Sequence, residues 1–218
     1  NPLQEIDKFK SDLLIDQTVE IWHCLSGSDK ENKIVDIICD NSGFELLSDL
    51  ILCDFIIQHK LAAKIRFRVK AIPWFISDVT PKDFKYTLDQ LEKSSDQILS
   101  DAGRRYKSYI ANRQFELIEP ADHFFTSPHE FHKMQKIAPA LWDSIAASHL
   151  AIFKGDLNYR KLLGDDNFLP TTIFRIALNY FIPTNLCALR TVKADLICGL
   201  TPGASERLFE KDPRWMAT

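Results

Sequence analysis

The stretch Ile34-Val35-Asp36-Ile37-Ile38-Cys39 is an almost continuous apolar run that ends directly in Asp40-Asn41. Such a run is typical of a β-strand that is covered on both faces of a sheet. Residues 45–60 follow with an amphipathic pattern, which predicts a helix. A strand that ends in a carboxylate and leads into a helix places polar oxygens beside the free N–H groups and the positive dipole end of that helix. This arrangement predicts a site for a metal ion together with a phosphate-like anion.

Length and composition predict a substantial core, in one large domain or in a domain with a subdomain. The chain has 218 residues, of which 45% are hydrophobic. Its net charge is -3, and Lys and Arg are interspersed with Asp and Glu, which argues against a nucleic-acid-binding surface. The longest apolar stretch, residues 46–57, contains Asp49 and Asp54 and so does not predict a membrane span. We therefore expect neither nucleic acid nor a membrane as a partner.

The cysteines and the first residues suggest a compartment and a chain context. The five cysteines are widely spaced and none forms a C-x-x-C pair, which predicts reduced thiols in a reducing compartment. We expect a cytoplasmic location, with the nucleus as a second compartment. The chain begins Asn1-Pro2-Leu3 without an initiator Met or a signal-peptide pattern, which predicts that further sequence precedes it.

Alternating apolar runs and amphipathic segments predict an α/β fold. Strands are predicted at residues 34–39, 66–74, 149–154 and 186–189, with helices between them, and polar residues follow each strand. A short strand is also predicted at residues 115–118. The expected fold is a three-layer α/β/α domain with a mostly parallel central sheet. Ligands of such sheets bind at the carboxyl ends of the strands, where we expect the active site.

Three local patterns give more detailed expectations. Residues 3–25 have helical spacing of apolar positions. Ser42-Gly43-Phe44-Glu45 has the spacing of a capping box, in which Ser42 and Glu45 would cap the following helix reciprocally. The cations between residues 60 and 70 alternate with apolar positions, which predicts a strand with an exposed row of cations.

Four motifs occur in order between residues 14 and 215: Asp40-Asn41-Ser42-Gly43-Phe44-Glu45, Pro73-Trp74-Phe75-Ile76-Ser77-Asp78, Lys154-Gly155-Asp156-Leu157-Asn158-Tyr159-Arg160-Lys161 and Arg190-Thr191-Val192-Lys193. In this order they resemble the metal-dependent damage-control phosphatase family, in its sugar-phosphate branch, which also includes acidic-residue methyltransferase homologues. Relatives usually carry a helical N-terminal region and a short closing strand after the position of Trp215, and this sequence has neither. The resemblance implies that residues 1–218 are a single α/β metal-phosphatase domain, the C-terminal part of a longer chain. The missing N-terminal region is then an expected partner.

The resemblance implies that Asp40, Asn41 and Asp78 hold a divalent metal. Two carboxylates and one amide oxygen are hard ligands that suit Mg²⁺ or Mn²⁺, and Co²⁺ or Ni²⁺ could occupy such a site in vitro. Each residue alone has a simpler interpretation, because an Asp-Asn pair after a strand is often a turn and Asp78 could cap a helix that starts at Pro81. Only the joint pattern favours the metal site.

The resemblance also implies a set of substrate contacts. Lys193 would offset charge on the phosphoryl oxygens, and the segment from Asp156 to Arg160 would contact the phosphorylated substrate. For Arg190 an ion pair with a neighbouring carboxylate is as good an interpretation as direct phosphate contact, and Arg160 with Lys161 could be a solvated pair. The complete set implied for substrate binding is Glu45, Asp156, Leu157, Asn158, Tyr159, Arg160, Arg190 and Lys193, and the catalytic set is Asp40, Asn41, Asp78 and Lys193.

The function implied is metal-dependent hydrolysis of a small phosphomonoester, such as fructose 1-phosphate or fructose 6-phosphate. A water molecule is the default nucleophile, with an aspartyl-phosphate on Asp40 or Asp78 as the alternative. Two other classes stay open. One is an S-adenosylmethionine-dependent protein-glutamate carboxyl methyltransferase, although Ser42-Gly43-Phe44 supplies only one glycine to a nucleotide loop. The other is a non-catalytic domain that binds metal or phosphate.

Overall fold

A computed structural model describes residues 9–10, 12–27, 33–120 and 123–216 of the chain. At its centre is a five-stranded sheet in which all neighbouring strands are parallel. The strand order is β3-β2-β1-β4-β5, so the chain builds outward on one side of β1 and then returns to build the other side. The strands are β1 Ile34–Ile38, β2 Lys64–Arg68, β3 Phe115–Ile118, β4 Leu150–Lys154 and β5 Asn185–Leu189.

Helices connect the strands. In chain order they are α1 Thr18–Ser26, α2 Phe44–Gln58, α3 Pro81–Glu92, α4 Gln97–Ala111, α5 Met134–Ile137, α6 Pro139–Ala146, α7 Gly155–Leu163, α8 Phe174–Ala177 and α9 Ala204–Lys211, with short 3-10 segments at Phe124–Thr126 and Phe131–Lys133. Among the described residues, no helix is long and apolar enough to cross a bilayer. All five cysteines are free thiols, as the sequence predicted.

Each face of the sheet carries its own hydrophobic core, because successive strand residues point to opposite faces. Ile37 and Ile152 pack on the first face with residues of α2, α3 and α4. Ile38 and Phe153 pack on the second face with residues of α6, α7 and α8. Burial of each such side chain contributes about 1.5 to 3 kcal/mol, so both helix layers are tightly held to the sheet. The prediction of a three-layer α/β/α fold with a parallel sheet is confirmed.

Several local predictions are wrong at their boundaries. The strand predicted over residues 66–74 is limited to Lys64–Arg68. Beyond it the Lys70 amide donates to the Val79 carbonyl at 2.8 Å, so the chain turns into a local loop. The helix predicted over residues 3–25 is confirmed for its last part, where α1 begins at Thr18. Residues 1–8 and 11 lie outside the described residues.

The predicted capping box at Ser42 is also wrong. Gly43 is the N-cap residue of α2, with a φ of 72° and no side-chain cap hydrogen bond. The Ser42 hydroxyl donates instead to the Ser77 carbonyl at 3.1 Å, because residues 41–42 lie against residues 77–78. A capping box does form at the start of α3, between Thr80 and Asp83.

Candidate metal and phosphate site

The order of the strands changes direction between β1 and β4, the place where open α/β sheets bind their ligands. The connections leave these two neighbouring strands toward opposite sides of the sheet, which makes their carboxyl ends a topological switch point. Asp40 follows β1 at this point, and Gly155 follows β4. The switch point is therefore flanked on one side by the carboxylate of Asp40 and on the other by the first turn of α7.

Gly155 allows these two sides to come together. Its φ is 80°, and a Cβ atom at this position would lie 1.8 Å from the Asp40 Oδ2 atom. A side chain of any kind would overlap the carboxylate, so this position requires glycine for both space and backbone conformation. The backbone of α7 thus begins directly against Asp40.

A short pairing of two loops brings Asn41 and Asp78 beside Asp40. Asn41 forms an isolated antiparallel bridge with Asp78. The Val79 amide donates to the Asp40 carbonyl at 2.8 Å, and the Ser77 hydroxyl donates to the Asn41 Oδ1 atom at 2.6 Å. The residues predicted as a metal-binding set therefore lie together, although they come from separate loops.

Lys70 lies between the two carboxylates of this set. Its ammonium is 2.6 Å from the Asp78 Oδ1 atom and 3.6 Å from the Asp40 Oδ1 atom, and its side chain is 1% exposed. The other oxygen of Asp78 accepts from the Phe75 amide at 2.7 Å. The expectation of an exposed row of cations is therefore wrong, because Arg66, Arg68 and Lys70 are all buried. A sequence signal for this burial does exist. Carboxylates stand at positions 36 and 40, on and after β1, and cations alternate with apolar residues at positions 66, 68 and 70, on and after β2.

A second buried lysine joins the site to α2. The Lys154 ammonium donates to the Glu45 Oε1 atom at 3.0 Å and to the Asp49 Oδ1 atom at 2.6 Å. The Asn41 amide nitrogen links the two groups, since it donates to Asp40 at 2.9 Å and to Glu45 at 2.8 Å. Glu45 thus faces the site instead of capping its helix. Sequence reasoning assigned no role to Lys154 or Asp49.

The environment shifts the pKa values of two carboxylates in opposite directions. Burial raises the pKa of Asp40, and the charges of Glu45 and Asp78 act in the same sense, while Lys70 opposes them. Burial would also raise the pKa of Glu45, but hydrogen bonds from Asn41 and Lys154 outweigh it and the pKa is lowered. The charge of Lys193, an exposed residue in the loop after β5, contributes to the lowering for Glu45. The site therefore combines surplus negative charge around Asp40 with cations at its rim.

The segment from Asp156 to Arg160 forms the first turns of α7, where its side chains have different surroundings. Asn158 is fully buried, and its amide donates to the Lys154 carbonyl at 2.7 Å. Tyr159 is buried and its ring stacks on Phe174. Arg160 pairs with Asp165 through two hydrogen bonds of 2.7 Å, and Leu157 is half-buried. These contacts tie most of the segment to the protein itself, and its role toward substrate stays a prediction.

Arg190 forms the ion pair that was one of its two interpretations. Its Nε atom donates to Asp156 at 2.6 Å, and the guanidinium lies 4.3 Å from the centre of the Tyr159 ring. It also donates to the carbonyls of Ala194 and Leu196. Arg190 thereby fixes the loop that carries Lys193 against the first turn of α7.

The chemistry of the donor set fits a hard divalent cation. Asp40, Asn41 and Asp78 offer two carboxylates and one amide oxygen, the ligand types that Mg²⁺ and Mn²⁺ prefer. Within the described part of the chain, no cluster of three or more His, Cys, Asp or Glu side chains forms a metal site. The candidate set depends on its amide for the third oxygen.

Fold and site together define a parallel α/β domain with an acidic, lysine-supported centre at the switch point of its sheet. The sequence profile described as "Damage-control phosphatase ARMT1-like domain" matches residues 3–208. The chain belongs to this ARMT1-like damage-control phosphatase domain family.

Individual relatives agree with the family assignment. "Damage-control phosphatase ARMT1" of Mus musculus is 41% identical over an alignment of 222 positions, which covers 100% of this chain and 49% of the relative. The Bos taurus protein of the same description is 40% identical over 99% of this chain and 50% of its own length. The Danio rerio protein is 41% identical over 99% of this chain and 49% of its own length. The chain spans about half the length of the curated relatives it matches.

Proposed function

We propose that this domain catalyses metal-dependent hydrolysis of small phosphomonoesters, with sugar phosphates such as fructose 1-phosphate or fructose 6-phosphate as substrates. The observation that supports this proposal is the convergence of Asp40, Asn41 and Asp78 at the switch point of the sheet. The first turn of α7 lies against the same carboxylate, and the positive dipole end of a helix favours an anion there. A small phosphorylated metabolite is the partner that suits such a site.

Each residue of the site has a proposed task. The oxygens of Asp40, Asn41 and Asp78 would hold Mg²⁺ or Mn²⁺, or Co²⁺ or Ni²⁺ in vitro. A bound divalent metal would supply Lewis-acid activation of a phosphoryl oxygen and a water molecule of lowered pKa. Lys193 would offset the charge of the phosphoryl oxygens as an ammonium at the rim. Water is the proposed nucleophile, since both aspartates serve as ligands.

The supporting residues act through position. Arg190 anchors the loop of Lys193 by its contacts with Asp156 and the Leu196 carbonyl. Lys154 holds Glu45 beside Asn41, which fixes the orientation of the amide. The amide oxygen accepts from the Ser77 hydroxyl and has a second lone pair that would serve the metal. These contacts prepare the site before a ligand binds, which lowers the reorganisation needed during the reaction.

Product analysis on the natural protein at full length tests the proposal. The protein is incubated with fructose 1-phosphate or fructose 6-phosphate while the divalent metal is varied, and free phosphate is measured. A parallel sample receives S-adenosylmethionine and is analysed for glutamate methyl esters. Metal-dependent phosphate release supports the proposal. Methyl esters without phosphate release would favour the methyltransferase, and neither product would favour a binding domain.

Lys193 separates phosphate recognition from metal binding. Lys193→Met is expected to retain Mn²⁺ affinity and to lose most sugar-phosphate hydrolysis, because the ammonium acts after the substrate arrives. Lys193→Arg is expected to rescue only part of the activity, since a planar fork does not replace a compact ammonium. Lys85→Met is a matched control, because Lys85 is an exposed lysine paired with Glu119 away from the site. Hydrolysis by Lys193→Met at the parent rate would remove Lys193 from the phosphate site.

A further inference from the structure

Lys70 is a buried cation that has no task in the proposed reaction. It follows β2, and its side chain reaches the carboxyl edge of the sheet with 1% of its surface exposed. A buried ammonium is costly unless charged partners compensate for its lost hydration. The partners here are Asp78 at 2.6 Å and Asp40 at 3.6 Å, which are two of the three proposed metal ligands.

The charges of this cluster do not balance. Asp40 and Asp78 bring two negative charges when ionised, and Lys70 supplies one positive charge. The short contact goes to Asp78, while Asp40 is farther from the ammonium and also has Glu45 on the other side of Asn41. One unit of negative charge therefore stays uncompensated by Lys70, which leaves the cluster attractive to a further cation.

We propose that Lys70 is a resident counter-ion of the metal site, which stabilises the metal-free domain and weakens divalent-metal binding. This inference rests on the proposed function, because it assumes that Asp40 and Asp78 bind the metal. Lys70 is a positioning residue in this role, since it acts through the two carboxylates. A unit positive charge within hydrogen-bond distance of a ligand repels a divalent ion at that ligand, and the same charge neutralises the ligands when the ion is absent.

The counter-ion also affects the charge that a substrate meets. Lys70 makes the charge of the loaded centre more positive by one unit than a neutral residue at this position would, a surplus that adds to the other charges around the centre. A phosphomonoester is an anion, so the surplus favours its binding. Loss of the Lys70 charge is therefore expected to tighten metal binding and to weaken substrate binding, which are opposite changes from one substitution.

The experiment compares Lys70→Met, Lys70→Gln and Lys70→Arg with the parent protein. Mn²⁺ affinity is measured by calorimetry without substrate, and thermal unfolding is followed with and without saturating Mn²⁺. We expect Kd for Mn²⁺ to fall about tenfold or more in Lys70→Met and Lys70→Gln. In Lys70→Arg, which keeps the charge, Kd should stay within about threefold of the parent value. The metal-free variants should unfold at lower temperature than the parent, and Mn²⁺ should raise their Tm by more than it raises that of the parent.

Two features keep the test decisive. Lys70→Gln retains a hydrogen-bond donor toward Asp78, so it isolates the charge if Lys70→Met folds poorly. Lys107→Met is the matched control, because Lys107 also bridges two carboxylates, Asp89 and Glu92, away from the site. It should change neither Kd for Mn²⁺ nor the metal-induced rise in Tm.

The outcomes separate this inference from the proposed function. If the parent binds Mn²⁺ and the neutral Lys70 variants bind it equally or more weakly, the counter-ion role is wrong and the metal site stands. If Asp40→Asn and Asp78→Asn bind Mn²⁺ with the same Kd as the parent protein, the metal site itself is misplaced. A sugar-phosphate KM that falls in Lys70→Gln would contradict the electrostatic part of the inference.

Discussion

Two buried ionic clusters lie on and just beyond strands β1 and β2, and they differ in the sign of their surplus charge. In the middle of the sheet, one carboxylate, Asp36, meets two guanidinium groups: Arg66 at 2.7 Å and Arg68 at 3.0 Å. At the carboxyl edge, one ammonium, Lys70, meets the two carboxylates of Asp40 and Asp78. The inner cluster has surplus positive charge and the edge cluster has surplus negative charge.

The surroundings of the two clusters differ as well. The inner cluster is closed by α6, where Arg66 donates to the Ser144 carbonyl at 2.7 Å and Arg68 donates to the Ser144 hydroxyl at 2.8 Å. The edge cluster lies at the switch point, where a ligand can approach. Similar residue types thus form a structural ion-pair cluster around Asp36 and a candidate ligand site around Lys70. If this distinction holds, substitutions in the inner cluster should lower the free energy of unfolding far more than substitutions in the edge cluster.

The largest effect is expected for Asp36→Asn. Among the described residues, Asp36 is the only carboxylate within ion-pair distance of Arg66 and Arg68, and buried cations without a partner are strongly destabilising. We expect the free energy of unfolding to fall by about 3 to 5 kcal/mol. Urea unfolding followed by circular dichroism measures this. A decrease in the free energy of unfolding of less than about 1 kcal/mol would show that the inner cluster does not stabilise the fold.

Gly155→Ala is expected to have the next largest effect. The new Cβ would overlap the Asp40 carboxylate, so both the fold and the edge cluster must shift. Gly164→Ala is a matched control, because its φ is 72° but its nearest neighbour would be at an ordinary 3.5 Å. The control should cost about 1 kcal/mol for backbone strain, and Gly155→Ala about 2 kcal/mol more. Equal costs would mean that Asp40 moves away freely.

Lys161 is a third case, a cation held by carbonyl groups. Among the described residues, no carboxylate lies within hydrogen-bond distance of its ammonium. Its ammonium donates to the carbonyls of Phe124 and Ser127, and it lies 5.4 Å from the centre of the Trp74 ring. Burial and then the charge of Lys70 lower the pKa of Lys161 to about 8, and Glu130 opposes them.

The unfolded chain therefore binds this proton more tightly than the folded domain does. Stability should rise with pH between about 8 and 10.5, because the cost of keeping Lys161 charged disappears there. Relative to Lys161→Met, the parent should gain about 1 to 2 kcal/mol across this window, less than a fully buried group would give because the ammonium keeps some contact with solvent. Unfolding of both proteins in urea at several pH values measures this. A difference that does not vary with pH would contradict the lowered pKa.

Asp40→Asn is expected to have the smallest effect on stability. It removes one charge from a cluster that has surplus negative charge, so the free energy of unfolding of the metal-free domain should change by less than about 1 kcal/mol. Phosphate release should nevertheless be lost, because a proposed metal ligand is gone. Asp36→Asn should therefore mainly lower stability, whereas Asp40→Asn, four residues further along the chain, should mainly abolish phosphate release. If Asp40→Asn lowers stability as much as Asp36→Asn does, the two clusters do not differ in their contribution to the fold.

Much of the fold can be read from local sequence patterns. β1 and β4 are apolar runs that are buried on both faces, whereas β3 and β5 are less buried strands at the two edges of the sheet. The predicted positions of all four agree with the structure. The end of β2 is different, because the chain leaves the sheet to pair residues 77–79 with residues 40–42, a contact between distant segments. Ser42 does not cap the helix for the same reason, since its hydroxyl donates to the Ser77 carbonyl.

The sequence predicts that Asp40, Asn41 and Asp78 lie together, and its local periodicity gives no signal for the buried Lys70, Lys154 and Asp49 that surround them. Asp40, Asn41 and Asp78 stand at the ends of recognisable elements, and their roles as ligands stay a prediction. Lys70 was misread because its alternation with apolar residues is the pattern of an exposed face. Its burial depends on partners from two other segments, which local periodicity does not contain.

The strand order has a consequence for the time course of folding. β1 pairs with β2 across a short connection, whereas its pairing with β4 must close a loop that contains β2, β3 and the helices between them. Loop closure of this kind delays a contact, since chain entropy must be lost before the contact stabilises anything. The approach of Gly155 to Asp40 depends on that late pairing. We therefore expect metal-binding competence to appear only after the sheet has formed on both sides of β1, as a marker of completed folding.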